Sequence, residues 1–363
     1  MFHLYVNRLV ATKALLFIPD ISGFTEFVHN TATNHSKHII SELLEVLLDA
    51  ISINLELAEI EGDALFLYKL TDHINKEDLQ SQINQMYLAF HTHLKRYEFE
   101  RICHCGACSS AYNLTLKFVL HYGEIDFITV KDSKKPYGSH VIKAHRMLKN
   151  NIPIKEYALW SEDLVAIGSD SENVLNETYD FGTINYTYTS LEHLKTNIPK
   201  VDPIPNDVPR SKLLSIETLI KSDTLDLYEV ISNFDYRLLW VQGLDALEYE
   251  KNKVNRSGTK HQCLINNNQK INQTTVHREV EDHQLVYGES TNEIPFTKRV
   301  TIYYILEEKE PHETALQVQV YADFKPLGIL MKPLLVKNLK KNIKNNIDEL
   351  VNLINSGFAI ETQ

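Results

Sequence analysis

Four prolines crowd into the stretch Asn197-Ile198-Pro199-Lys200-Val201-Asp202-Pro203-Ile204-Pro205-Asn206-Asp207-Val208-Pro209. Each proline removes a backbone donor and fixes φ, so neither a helix nor a paired strand is expected there. An extended spacer is the natural outcome. A chain of 363 residues has room for about two domains of ~150 residues each. The spacer therefore divides the chain into a domain at 1–196, a linker at 197–210 and a domain at 211–363.

The apolar fraction of 43% is enough for two buried cores. A net charge of −11 argues against a nucleic-acid coat protein, so no nucleic acid is expected as partner. No apolar run approaches the ~18 residues of a membrane span, so no integral span is expected. The run Ala14-Leu15-Leu16-Phe17-Ile18 is too short for a signal peptide and is soon closed by Asp20. These features predict a cytoplasmic protein.

In the first part, residues 13–20 read as a strand and 35–53 as a helix. Ile39, Leu43, Val46, Leu47 and Ala50 recur at helical spacing within that helix. Residues 55–60 and 64–70 read as a hairpin around Glu61-Gly62-Asp63. A helix is expected over 77–97, strands over 114–121 and 123–130, and a short helix over 141–149. The order β-α-β-β-α-β is that of a ferredoxin-like α+β domain. It sets the end of the first strand beside the hairpin, and so Asp20 beside Asp63.

Two aspartates at neighbouring strand ends suit a pair of Mg²⁺ ions, which take few protein ligands, chiefly carboxylates, and leave room for phosphate oxygens. An aspartate at a strand end also serves as a turn or cap residue. Residue type alone leaves both readings open.

The stretch Phe17-Ile18-Pro19-Asp20-Ile21-Ser22-Gly23-Phe24-Thr25-Glu26-Phe27 resembles the first metal motif of class III nucleotidyl cyclases, the adenylate and guanylate cyclases. Gly62-Asp63 resembles their second metal motif. Phe118-Val119-Leu120-His121-Tyr122-Gly123-Glu124-Ile125 resembles a strand that follows, and Tyr137-Gly138-Ser139-His140-Val141-Ile142-Lys143-Ala144-His145-Arg146-Met147 the Gly–Val–Asn–Ala–Arg helix. The resemblance spans roughly residues 13–190 and is nearest to a divergent, uncharacterised bacterial branch with a His-Arg variant of the helix. It implies that Asp20 and Asp63 hold two Mg²⁺ or Mn²⁺ ions. The backbone through Ile21, Gly23, Phe24 and Thr25 would cradle the triphosphate of an NTP, and Arg146 would stabilise charge on the transferring phosphate across a homodimer interface. The chain departs from the family at three positions. The transition-state asparagine falls at Ile142, the purine-selecting lysine at Glu59 and the purine-selecting aspartate at Lys135. Glu59 and Lys135 keep opposite signs, so a pairing between them or a different base edge is open. The family's late phosphate-binding lysine has no counterpart in Asp180-Phe181-Gly182-Thr183-Ile184-Asn185-Tyr186.

Cys103-His104-Cys105-Gly106-Ala107-Cys108 packs three thiols and an imidazole into one short stretch. Cys103, Cys105 and Cys108 have a spacing that can hold Zn²⁺, with His104, His93 or Cys263 as a fourth ligand. A redox-sensitive loop and inert thiols are the other readings.

Beyond the linker, a strand at 213–220 and a helix capped by Ser222 or Asp223 precede a strand-rich meander over 245–320. A long helix over 334–354 closes the chain. This order resembles the START-like helix-grip fold of the polyketide cyclase/dehydrase and lipid-transport superfamily, which implies an apolar small-molecule ligand. Trp240, Tyr287, Phe296, Tyr303, Tyr304 and Phe324 are candidates to line a cavity or to fill a core, with His261 and Arg237 as polar contacts. Lys332, Lys337, Lys340, Lys341 and Lys344 give the last helix a basic face. The reading of the whole is a divergent class III nucleotidyl cyclase joined to a ligand-binding helix-grip domain. The alternative is a catalytically degenerate cyclase fold that binds nucleotide or an apolar ligand as a sensor or carrier.

Overall fold

The computed structural model describes residues 12–24, 27, 33–102, 106–165, 173–179, 182–200, 209–266 and 269–358. Its residues fall into two compact units. The first holds the described residues up to 27 with 40–95 and 110–200, and the second holds 33–39, 96–109 and those from 209 onward.

The first unit is built on β1 (Thr12–Ser22), β2 (Glu56–Glu61), β3 (Ala64–Leu70), β4 (Thr115–Val130), β5 (Ser133–Tyr137), β6 (Tyr157–Ser161), β7 (Leu175–Tyr179) and β8 (Gly182–Ser190). The main path of the sheet runs β2-β3-β1-β4-β6-β8-β7, with β5 paired to β4. The uninterrupted apolar run of β1 is explained by this central place. Ala14, Leu15, Leu16, Phe17 and Ile18 are all at most 1% exposed, since both faces of the strand are covered. The helices before residue 200, in chain order, are α1 (Thr33–Asp49), whose residues 33–39 fall in the second unit, α2 (Lys76–Phe99), whose last four residues do, α3 (Gly106–Ser110), which does except for Ser110, and α4 (Ser139–Met147), wholly in the first unit. Ala144 and Met147 of α4 share a core with Ala14, Leu16 and Ile18 of β1 and Val119 of β4. Gln82 on α2 accepts from the Ser52 amide at 2.6 Å and donates to Ala50 O at 2.8 Å, which ties down the chain leaving α1.

β4 differs from the sequence expectation in one respect. It is one strand of 16 residues, not two pieces. Gly123 does not break it, because antiparallel pairing with β1 continues through Gly123 opposite Ala14.

The second unit carries an antiparallel sheet in the order β10-β11-β12-β13-β14-β15-β9. Its strands are β9 (Ser211–Ile220), β10 (Leu244–Glu248), β11 (Lys260–Ile265), β12 (Gln269–Val276), β13 (Gln284–Thr291), β14 (Thr297–Glu310) and β15 (Glu313–Phe324). Its helices are α5 (Thr224–Ser232), α6 (Arg237–Trp240) and α7 (Gly328–Asn355). Segment 96–102 belongs to this unit. The Ser257 amide donates to Glu100 O at 2.8 Å, and the Tyr228 hydroxyl donates to Ile102 O. α7 starts before Pro333, earlier than expected, and buries Ile343, Ile347 and Leu350. No helix among the described residues is long and apolar enough to cross a membrane.

Candidate metal centre

Asp20 lies near the end of β1, opposite Ala64 of β3 and Lys117 of β4. The hairpin that brings Asp63 to it is short. Glu61 pairs with Ala64, leaving Gly62 and Asp63 as the two turn residues. Gly62 has φ +68°, a value that suits glycine at the first central position of a type II′ turn. The Ile21 amide donates to Asp63 O at 3.0 Å and fixes the turn against β1.

The electrostatics here are under tension. The Asp20 side chain is 14% exposed, and the Lys117 ammonium lies 3.2 Å from its Oδ2. Burial pushes the Asp20 carboxyl up to about 6, Lys117 opposes this, and the charges of Asp63 and Glu61 push further upward. Burial also raises Asp63, against its own backbone hydrogen bond and Lys117. His145 of α4 faces Glu61, with its Nδ1 3.2 Å from Glu61 Oε2. Among the described residues the site therefore gathers carboxylates around one close ammonium, that of Lys117. Carboxylate oxygens short of positive charge are the donor set a hard divalent cation takes, so the residues fit Mg²⁺ or Mn²⁺.

The remaining expected site residues are distributed as follows. Ile21 is buried and its amide is committed to Asp63. Gly23, at φ +92°, turns the chain, and its carbonyl accepts from the Phe27 amide at 3.0 Å. Phe24 is half-buried at this turn, and Thr25 lies outside the described residues. Arg146 is exposed on α4. Ile142, at the family's asparagine position on the same helix, is 53% exposed. Glu59 and Lys135 meet each other in a 2.7 Å ion pair between β2 and β5, with both side chains open to solvent.

Of the cysteine cluster, Cys103 and Cys105 lie outside the described residues, as does His104, while Cys108 is buried in α3. His93 is engaged by Glu42 at 2.9 Å. Cys263 sits in the second unit, where burial and then the charge of Glu289 push its thiol up to about 12.

Of the aromatic candidates for a cavity or a core, Tyr303 does not share a face with Tyr287 and Tyr304. Tyr287 pairs with Tyr304 and Gly288 with Tyr303, so Tyr303 points to the opposite side of the sheet. Trp240, Tyr287 and Tyr304 pack around the Arg237 guanidinium, at 4.9, 5.6 and 6.0 Å from the ring centres. Arg237 is buried and ion-paired with Glu289, which also accepts from the Tyr287 hydroxyl at 2.7 Å. His261 Nε2 lies 3.4 Å from the same carboxylate. A groove of about 740 Å³ is lined by Glu248, Lys260, His261, Gln262, Val276 and Arg299, among others, so its walls are mixed polar and apolar.

Sequence reasoning missed two features. Lys117 was not singled out, although strand pairing sets it against Asp20. His121, His140 and Asp163 come together from three separate elements, and no spacing in the chain announces them.

A family profile described as "Protein of unknown function (DUF2652)" matches residues 40–157. The curated "Uncharacterized protein Rv2561/Rv2562" of Mycobacterium tuberculosis is 32% identical over 160 residues, which cover 44% of this chain and 74% of that protein. Among solved structures, a bacterial light-regulated adenylyl cyclase is 18% identical, with 50% of this chain and 52% of that one covered at a TM-score of 0.37. A START superfamily protein from Mycobacterium smegmatis is 10% identical, with 40% of this chain and 99% of that one covered at a TM-score of 0.33. At such overlap neither structural likeness bears on function.

Proposed function

The chain belongs to the DUF2652 family, and we propose that its first unit is a divergent nucleotidyl cyclase of the class III type. In this reading it binds an NTP with divalent metal at Asp20 and Asp63 and forms a cyclic nucleotide and pyrophosphate. The observation that carries the proposal is the pair of carboxylates at adjoining strand ends, both held above their ordinary pKa by burial, with one ammonium close to Asp20. Bound Mg²⁺ or Mn²⁺ supplies charge neutralisation on the triphosphate oxygens.

The chain's own residues then divide the work. Asp20 and Asp63 hold the cations. Lys117, released from Asp20, offers its ammonium to phosphate and so serves in place of the lysine missing from the 180–186 stretch. The turn at Gly23 and Phe24 presents amides to the phosphates. Arg146, exposed on α4, is available to a second copy in a homodimer. Glu59 and Lys135 neutralise one another, so neither favours a particular base.

One observation favours the sensor reading instead. Ile142 offers no hydrogen bond to ribose or phosphate, which suits a unit that binds nucleotide without turnover. Incubation with each NTP and Mn²⁺, with cyclic product and pyrophosphate measured beside Asp20→Ala, separates the two. Product from the wild type alone supports the cyclase. Saturable nucleotide binding without product selects the sensor, and neither binding nor product overturns both.

Zn²⁺ at Cys103, Cys105 and Cys108 is a separate proposal, and metal analysis of untagged protein tests it. With His93 engaged by Glu42 and the Cys263 thiol raised, His104 is the nearest fourth ligand in sequence. An apolar small-molecule ligand of the second unit is a further proposal, and mass spectrometry of small molecules carried through purification tests it.

A further inference from the structure

α4 meets the sheet at two places. Its last turn carries His145, paired with Glu61 beside the aspartates, and its first turn carries His140. At this second place His140 Nδ1 lies 2.8 Å from Nε2 of His121, which stands on β4 with no exposure at all. His121 Nδ1 lies 2.8 Å from Ser161 Oγ at the end of β6 and 3.7 Å from Asp163 Oδ2. One ligand atom from each of His121, His140 and Asp163 falls within 4.8 Å of the others.

β4 is shaped around this group. A Cβ at Gly123 would come within 2.0 Å of His140 Nδ1, so the bare backbone makes room for the imidazole. The tautomer in which His121 Nδ1–H donates to Ser161 Oγ leaves the Nε2 lone pair facing His140. That is the tautomer and second partner a metal-bound histidine needs. Burial, then the charges of His140 and Lys143, lowers the pKa of His121, and burial, then Lys143, lowers that of His140.

We propose that His121, His140 and Asp163 form a binding site for a borderline transition-metal ion, foremost Zn²⁺, which fastens the first turn of α4 to β4 and β6. Ligand bonds of about 2.0–2.1 Å at a tetrahedral angle set two nitrogens roughly 3.3 Å apart, so the imidazoles separate by about half an ångström on binding. Two neutral imidazoles and one carboxylate leave the fourth position to water, the pattern of an open site. Lys143, 3.5 Å from Asp163 Oδ2, balances the carboxylate in the metal-free protein and turns away when the ion enters. No ligand is shared with Asp20 and Asp63, so this site stands or falls apart from the nucleotide proposal.

The test is Co²⁺ titration of the full chain after stripping with chelator, followed by visible absorption, then Zn²⁺ competition. The wild type is expected to take up Co²⁺ with nitrogen–oxygen ligand-field bands and no thiolate charge transfer. His140→Ala should weaken this binding more than a hundredfold and Asp163→Asn about tenfold, whereas Lys143→Gln should tighten it severalfold. Asp163 is partly exposed, which keeps the test valid should His140→Ala misfold. Three outcomes would overturn the proposal. One is the absence of saturable ligand-field bands, which leaves a hydrogen-bonded imidazole pair only. Another is a spectrum of thiolate charge transfer, which assigns the metal to the cysteines. The third is unchanged affinity in both folded variants.

Discussion

Replacing Asp20 by asparagine should stabilise the metal-free protein at neutral pH. Asp20 titrates near 6 in the fold because burial and the charges of Asp63 and Glu61 outweigh Lys117. In the unfolded chain the carboxyl titrates at about 3.9. Between these values the folded state binds more protons than the unfolded state, so stability falls as pH rises through the window and is level above it. At about 1.4 kcal/mol per pH unit, ionised Asp20 costs the fold up to about 3 kcal/mol by pH 7. Asparagine mimics the protonated acid and escapes this cost, and Lys117 has no carboxylate partner in either case. The assay is urea unfolding of both proteins in chelator from pH 4 to pH 8, read as the difference between them. Every other titrating group cancels to first order in that difference. The expected curve starts near zero at pH 4 and rises to a plateau above pH 6.5 in favour of the variant. Added Mn²⁺ should reverse it by stabilising the wild type alone. A wild type as stable as Asp20→Asn at pH 7.5 in chelator would refute the reasoning, since the site would then bear no electrostatic strain for a metal to relieve.

Gly123→Ala should cost about 1–3 kcal/mol through its clash with the His140 ring, and thermal unfolding should show most of the loss recovered in a Gly123→Ala, His140→Ala double variant. In the second unit, Glu289→Gln strips the partner from a buried guanidinium and should cost about 3–5 kcal/mol in urea unfolding, whereas an Arg237→Met, Glu289→Gln double variant should lose less than Glu289→Gln alone. Lys135→Ala breaks an exposed pair and should change stability by less than about 1 kcal/mol; a larger loss would mean the pair is desolvated in solution. Ile142→Asn should raise cyclic-nucleotide production at least tenfold if the missing hydrogen bond limits turnover, and an unchanged rate beside intact nucleotide binding would contradict that view.

Much of the first unit could be read from short-range pattern. The unbroken apolar run of β1 signalled a strand covered on both faces, and Gly62-Asp63 between apolar runs signalled the hairpin. Together they set Asp20 beside Asp63 before any coordinates. Lys117 was not legible because strand pairing brings it to Asp20 from a distant part of the chain. The same holds for His121, His140 and Asp163, whose meeting depends on α4 crossing β4 and on β6 lying parallel to β4. Gly123 reads in the sequence as part of a strand, but nothing there tells that its lack of a side chain accommodates the His140 ring from another element. In the second unit, adjacent Tyr303 and Tyr304 must face opposite ways in a strand, so period-two reasoning alone would have kept them from one cavity. The last helix, expected from residue 334, begins at Gly328 and takes in Pro333 near its start, where only one backbone bond is forgone.

The most direct test of the central claim is a count of bound Mn²⁺ by electron paramagnetic resonance, with and without an NTP, in the wild type and in Asp20→Asn and Asp63→Asn. The account predicts that the wild type takes up Mn²⁺ more tightly when NTP is present, and that either substitution weakens this uptake at least tenfold. Equal, NTP-independent Mn²⁺ binding in all three proteins would contradict it.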